Sequence, residues 1–169
     1  MAFQLTSPKP GVGDFASFDT VKRFPVGTIV SAYDPIYGEG DFIYLPGVAS
    51  TVAGSLVTYN TNASSGAGAT ALTASGTAAT VRGPAAVAMS ANILTTTWGW
   101  YCIRGAVPIV AGTVAANALV YATATGGSTD DAVVATNKVD GALFKTADGT
   151  PAAGFAVVQL HNPSMNGNG

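Results

Sequence analysis

Charge is what this sequence has least of. Asp, Glu, Lys and Arg make up 9% of its 169 residues, nine acidic and seven basic, for a net charge of -2. An average soluble domain carries roughly 25%. Cysteine occurs once, at Cys102, and histidine once, at His161. Each shortage excludes a class of function. A lone cysteine builds neither a disulfide framework nor a thiolate zinc site. Seven basic residues outnumbered by acids give no footprint for nucleic acid. Low charge combined with 48% hydrophobic residues is the reverse of a disordered composition.

What remains is a chain of one-domain length, able to bury roughly 70% of its unfolded surface without a metal or cross-link. The charges it has are unevenly spread. None falls between Asp41 and Arg82, and only Arg104 between Arg82 and Asp130. Soluble monomers usually carry both signs of charge against association. A surface so poorly defended is expected to be covered by other copies or by a partner. The uncharged stretch Ala106–Ala124 has about the length of a bilayer span, roughly 20 residues. Pro108, Gly112, Thr113, Asn117 and Thr123 interrupt it, and no basic anchors flank it, so no membrane insertion is expected. Pro8, Lys9 and Pro10 stand where a signal peptide needs an apolar run, which points to folding in a reducing cytoplasm.

The first 26 residues differ from the rest. Pro8, Pro10 and Pro25 with Gly11 and Gly13 forbid a long regular element. Phe3, Phe15, Phe18 and Phe24 are spaced through them. The segment reads as an extended arm with aromatic anchors; the alternative is that the phenylalanines cover the domain's own core. If the arm is an appendage crossing to a neighbouring subunit, deleting residues 1–24 abolishes partner binding and leaves the domain folded.

From Gly27 the pattern is β. Strands are expected at Thr28–Tyr33, Phe42–Leu45, Leu56–Tyr59, Val87–Met89, Trp98–Arg104, Ala106–Val110, Ala118–Ala122, Val133–Ala135, Ala142–Phe144 and Phe155–Leu160. Turn residues such as Asp34-Pro35, Gly38-Glu-Gly40 and Pro46-Gly47 separate them. In the fourth, Ala85–Leu94 offers a short helix as the alternative. In Trp98–Arg104 the alternation places Trp98, Trp100, Cys102 and Arg104 on one face and Gly99, Tyr101 and Ile103 on the other. Residues 61–79, rich in Ala, Gly, Ser and Thr, read as a long loop or a weakly specified hairpin. The fold expected is an all-β sandwich or barrel of short strands over residues 27–162, with a flexible tail over 163–169.

The chemistry-bearing residues do not assemble into a catalytic signature. His161 has no Gly-x-Ser-x-Gly elbow to serve, so no catalytic residue is assigned. The Gly-x-Gly runs at Gly11 and Gly66 lack a βαβ context, so no cofactor is expected. Asp34, Glu39 and Asp41 surround one turn without the spacing of a calcium loop; the reading is an acidic, solvated turn, as at Asp130-Asp131, and no metal is assigned. Cys102 reads as a buried, inert thiol. Arg104, isolated in an apolar strand, must be paired if buried; the pairing expected is with a carboxylate of its own chain, such as Asp130 or Asp140, the alternative being a neighbour's carboxylate.

One resemblance runs through these segments. Gly27-Thr-Ile-Val, Asp34-Pro35, the run from Tyr37 to Leu45, Gly47-Val-Ala-Ser-Thr51, Gly83-Pro84-x-x-Val87-Ala-Met89-Ser90, Trp98-Gly-Trp-Tyr-x-Ile103-x-Gly105 and Val157-Val-Gln-Leu-x-Asn-Pro163 are together similar to the capsid decoration, or cement, proteins of tailed bacteriophages. The resemblance covers most of the chain from Gly27, excluding the arm and residues 61–79. It implies a β-rich virion protein, made in the host cytoplasm and seated on the outside of the head. Such a protein forms a homotrimer, or a dimer, and bridges neighbouring major capsid protein subunits. Phe3, Phe15, Phe18, Phe24 and Arg104 are then the candidate interface residues. The rival readings are another virion component, such as a head-fibre base or tail protein, and a carbohydrate-binding sandwich using Trp98, Trp100 and Tyr101.

Overall fold

In a computed structural model of the chain, residues 4–5, 12–60, 70–72, 83–133 and 137–165 are described. They form twelve strands and, among the described residues, no helix. In order these are β1 (Gln4–Leu5), β2 (Phe18–Asp19), β3 (Ile29–Asp34), β4 (Gly38–Pro46), β5 (Leu56–Tyr59), β6 (Thr70–Leu72), β7 (Gly83–Ala88), β8 (Trp98–Val110), β9 (Leu119–Ala122), β10 (Thr129–Asp130), β11 (Lys138–Phe144) and β12 (Phe155–Met165). Their ladders are antiparallel and join in one sheet that does not close into a barrel. The all-β class expected from the strand pattern is what the chain adopts.

The long strand β8 organises the fold. Its residues bury both faces, as its apolar run predicts. Trp100 and Cys102 enter the larger core, with Trp98 packed against it, while Tyr101 and Ile103 enter a second core on the opposite face. The expected alternation is the observed one, although two expected strands turn out to be one. Gly105, at φ +109°, carries the chain from Trp98–Arg104 into Ala106–Val110 without a break.

The two halves of β8 have different neighbours. From Arg104 to Val110 it pairs with β12, Arg104 opposite His161 and Val110 opposite Phe155. Before Arg104 it turns to β4. β12 runs on to pair Ser164 and Met165 with Pro84 and Gly83 of β7, and β7 in turn pairs Val87 with Cys102 of β8. β7 thus fills the fork where β8 and β12 part. Phe42, Tyr44 and Val87 on one side of the fork meet Val120, Phe144 and Leu160 from the other in the larger core, which makes the architecture sandwich-like. Each such side chain, fully buried, contributes roughly 1.5–3 kcal/mol of transfer free energy.

Three boundaries depart from expectation. A strand not expected from the sequence forms at Thr129–Asp130, where buried Thr129 donates its hydroxyl to the Val110 carbonyl (2.8 Å); of the expected strand Val133–Ala135 only Val133 is described, and it lies in no strand. Residues 134–136 lie outside the described residues. Residues 163–165, expected to belong to the flexible tail, are strand, because β12 passes through Asn162-Pro163 and ends on Met165, which is buried in the larger core; residues 166–169 lie outside the described residues. Of the segment 61–79, Thr70–Leu72 pair with β5 as the second arm of a hairpin; the remainder lies outside the described residues. The alternative helix at Ala85–Leu94 is strand β7 followed by irregular chain.

Residues 12–26 contain no long element, but they lie against the sandwich. Phe18 and Asp19 pair with Gly99 and Trp98. The Tyr44 hydroxyl donates to Asp19 Oδ2 (2.8 Å), and Asp19 also holds Arg23. Burial, with the Asp19 carboxylate beside it, pushes the Tyr44 phenol up to about 12.

Candidate interaction surface

The five residues nominated from the sequence meet different fates. Phe3 lies outside the described residues. Phe15 is 3% exposed, its ring 4.6 Å from that of Phe42 and 5.6 Å from that of Trp100. Phe24 is half-buried, edge-on to Tyr44 at 5.4 Å. Both therefore pack against their own domain, as the alternative reading held. Phe18 alone of the described three is exposed. Its place on β2, beside the first residues of β8, puts it at one end of the sandwich.

That end collects the chain's uncharged loops. The β4–β5 connection (47–55) and the β7–β8 connection (89–97) carry no charged residue. They are bonded to each other: Gly47 N–H donates to the Thr97 carbonyl (2.9 Å) and Val48 N–H to the Asn92 carbonyl (3.0 Å). Asn92, fully buried, ties them to β8. In the amide orientation that satisfies every neighbour, its oxygen accepts from the Tyr101 hydroxyl and from the Gly47 and Gly99 amides, and its NH2 donates to the Thr97 hydroxyl. The Thr97 hydroxyl donates in turn to the Leu94 carbonyl (2.8 Å). Burial pushes the Tyr101 phenol up to about 12. With their bases held inside, the loops point apolar tips outward. Val52, Ile93 and Leu94, with Phe18 and Val21 of the neighbouring segment, are 44–72% exposed. Exposed large apolar side chains on loops fixed in this way suit a docking surface, since little ordering entropy is left to lose on binding.

Asn92→Leu is expected to lower stability by about 2 kcal/mol, because it removes the buried amide that bonds the Tyr101 and Thr97 hydroxyls and the Gly99 amide together. Urea denaturation checks this. A midpoint unchanged from wild type would remove Asn92 from the support of this end.

Arg104 is paired within the chain, as expected, but with Asp41 rather than Asp130 or Asp140. The β4–β8 register sets the two opposite each other, and Arg104 Nε donates to Asp41 Oδ2. Ser31, opposite Asp41 on β3, donates its hydroxyl to Oδ1 (2.7 Å). The guanidinium holds the Asp41 carboxyl below its ordinary range. Being exposed, this row of polar groups adds little to stability, and it supplies no activated nucleophile.

The remaining polar candidates are spent structurally. Asp34, buried, accepts the Ile36 and Tyr37 amides (2.8 and 3.1 Å) and so closes the β3–β4 turn, correcting the reading of it as solvated. Among the described residues no three His, Cys, Asp or Glu side chains gather to hold a metal. His161 is exposed at the end of the β8–β12 ladder. Cys102 is fully buried, and burial pushes its thiol far above the ordinary range. Trp100 and Tyr101 lie within the two cores and Trp98 is half-buried, so the aromatics of β8 present no platform for stacking a sugar.

Sequence reasoning missed the role of Asn92 and the meeting of the two loops. The one signal was the scarcity of charge, since 47–55 falls between Asp41 and Arg82 and 89–97 between Arg82 and Arg104. Compared with protein-family models, with curated proteins and with solved structures, the chain matches none.

Proposed function

We propose that the chain is a structural virion protein: a decoration protein that seats the β8-start end of its sandwich on the outer surface of a phage head, bridges neighbouring major capsid protein subunits and stabilises the expanded shell. The reading joins two supports, the sequence resemblance and one structural observation. The observation is the uncharged, internally bonded loop pair with Val52, Ile93 and Leu94 at its tips. A protein that binds only the expanded lattice stabilises it by about 2.7 kcal/mol at a hundredfold excess over Kd. Contact with more than one capsid subunit adds avidity without new kinds of contact. Aromatic and apolar anchors in the middle of such a contact carry most of the binding energy, which gives Ile93, Leu94 and Phe18 the leading part.

The test is co-sedimentation with expanded heads of the encoding phage prepared without this protein. Wild type is expected to bind to saturation. Ile93→Asp/Leu94→Asp, at exposed loop positions, is expected to bind at least about tenfold more weakly with an unchanged melting temperature. Failure of the wild type to bind heads, or equal binding by the variant, would overturn the proposal.

A further inference from the structure

On a different part of the surface the β3–β4 turn and the β11–β12 connection enclose an open hollow of about 430 Å³. Ile36, Tyr37, Pro151 and Val157 give it an apolar lining, and Gln159 and Lys145 stand at its polar side. Ile36 is 82% exposed, a large apolar side chain with nothing over it. Lys145 is the one charged residue of the lining. Arg23, Arg104 and Lys138 each hold a carboxylate of the chain; among the described residues Lys145 holds none. The hollow therefore asks for an apolar group accompanied by a negative charge.

The chain carries such a group. Just beyond β10, Val133 is 80% exposed and follows Asp130 and Asp131. The segment is fixed in place, since Asp131 Oδ2 accepts the Ala115 amide (2.8 Å) and Asp130 Oδ1 the Ala132 amide (2.9 Å). A carboxylate offers about four acceptor sites, so each retains capacity for an external cation.

We propose that the hollow receives the Asp130–Val133 tip of a second copy of this chain, Val133 entering between Ile36 and Pro151 and the acidic pair meeting Lys145. Knob and hollow are different patches, so each contact is heterologous; it closes when two copies exchange tips or a ring is completed. An ion pair at the rim is worth little alone. Burial of Val133 and Ile36 supplies the affinity, and the charges set the orientation.

Sedimentation of the isolated full-length protein tests this without heads, so its outcome and that of the head-binding reading are separable. Wild type is expected to sediment as an oligomer. Lys145→Glu and Asp131→Lys are each expected to weaken association at least about tenfold, and the double variant Lys145→Glu/Asp131→Lys to restore it. Val133→Ser, at an exposed position outside any strand, is expected to weaken it as well and keeps the test readable if Asp131→Lys loosens the fold. A monomeric wild type, an unchanged mass for Lys145→Glu or Val133→Ser, or a charge-reversed double variant that stays dissociated would overturn the proposal.

Discussion

Removing residues 1–24 is expected to abolish cooperative unfolding of the protein, rather than to trim an appendage from an intact domain. The reason lies in two rings and a hydroxyl. Phe15 fills the space between Phe42 and Trp100, almost wholly out of water. A buried Phe→Ala change costs about 3–5 kcal/mol, a large share of the ~5–15 kcal/mol by which a native domain is stable. The deletion also takes Phe24 from Tyr44 and Trp100. It takes Asp19 from the Tyr44 hydroxyl and opens the apolar surface beneath the segment to water. Thermal denaturation measures both steps. Phe15→Ala should lower the melting temperature by about 10 °C, and the deletion should leave no two-state transition. A truncated protein that melts like wild type would return these residues to the status of a free arm.

The difficulty of that segment shows how far the sequence was readable. Where the backbone alternates, a period of two told which side chain went where, and Trp98–Arg104 fell into its two cores as expected. In residues 12–26 no sustained alternation of apolar and polar residues runs along the chain, so nothing local separates a phenylalanine that packs inward from one that reaches out. Phe15 and Phe18 stand three residues apart and end in opposite environments. Arg104 was legible as a residue needing a partner, but its partner was not. Asp41 becomes its neighbour only through the register of β4 on β8, which is set by all the other side chains of both strands. Asn92 was invisible for a related reason. In Ser90-Ala-Asn-Ile93 it reads as a turn residue, and only the meeting of two connections distant in sequence turns it into their common bond. The face of each residue was largely a local matter; which strands became neighbours was not, and the interaction surface depends on the second.

The same dependence makes Gly105 a position that cannot take a side chain without strain. It sits where β8 leaves β4 for β12, at φ +109°, a conformation that costs any L-residue about 1–3 kcal/mol. A Cβ there would lie 2.5 Å from the Glu39 carbonyl oxygen and 2.8 Å from the Gly40 Cα. Both are backbone atoms of β4, which cannot swing aside as a side chain tip does. Relief requires β4 to lift off β8 beside the Asp41–Arg104 pair, with Phe42 drawn out of the larger core. Gly105→Ala is therefore expected to cost about 5 kcal/mol, the range reached only when backbone strain and lost packing combine. Gly149 provides the comparison: its φ is +89°, yet nothing lies within 4 Å of its Cβ position, so Gly149→Ala should cost only the conformational part, about 1–2 kcal/mol. Urea midpoints of the two variants separate close approach from backbone preference. If Gly105→Ala proves as mild as Gly149→Ala, β4 and β8 are not held together at the bend, and the fork that β7 fills does not fix the end of the sandwich where the uncharged loops meet.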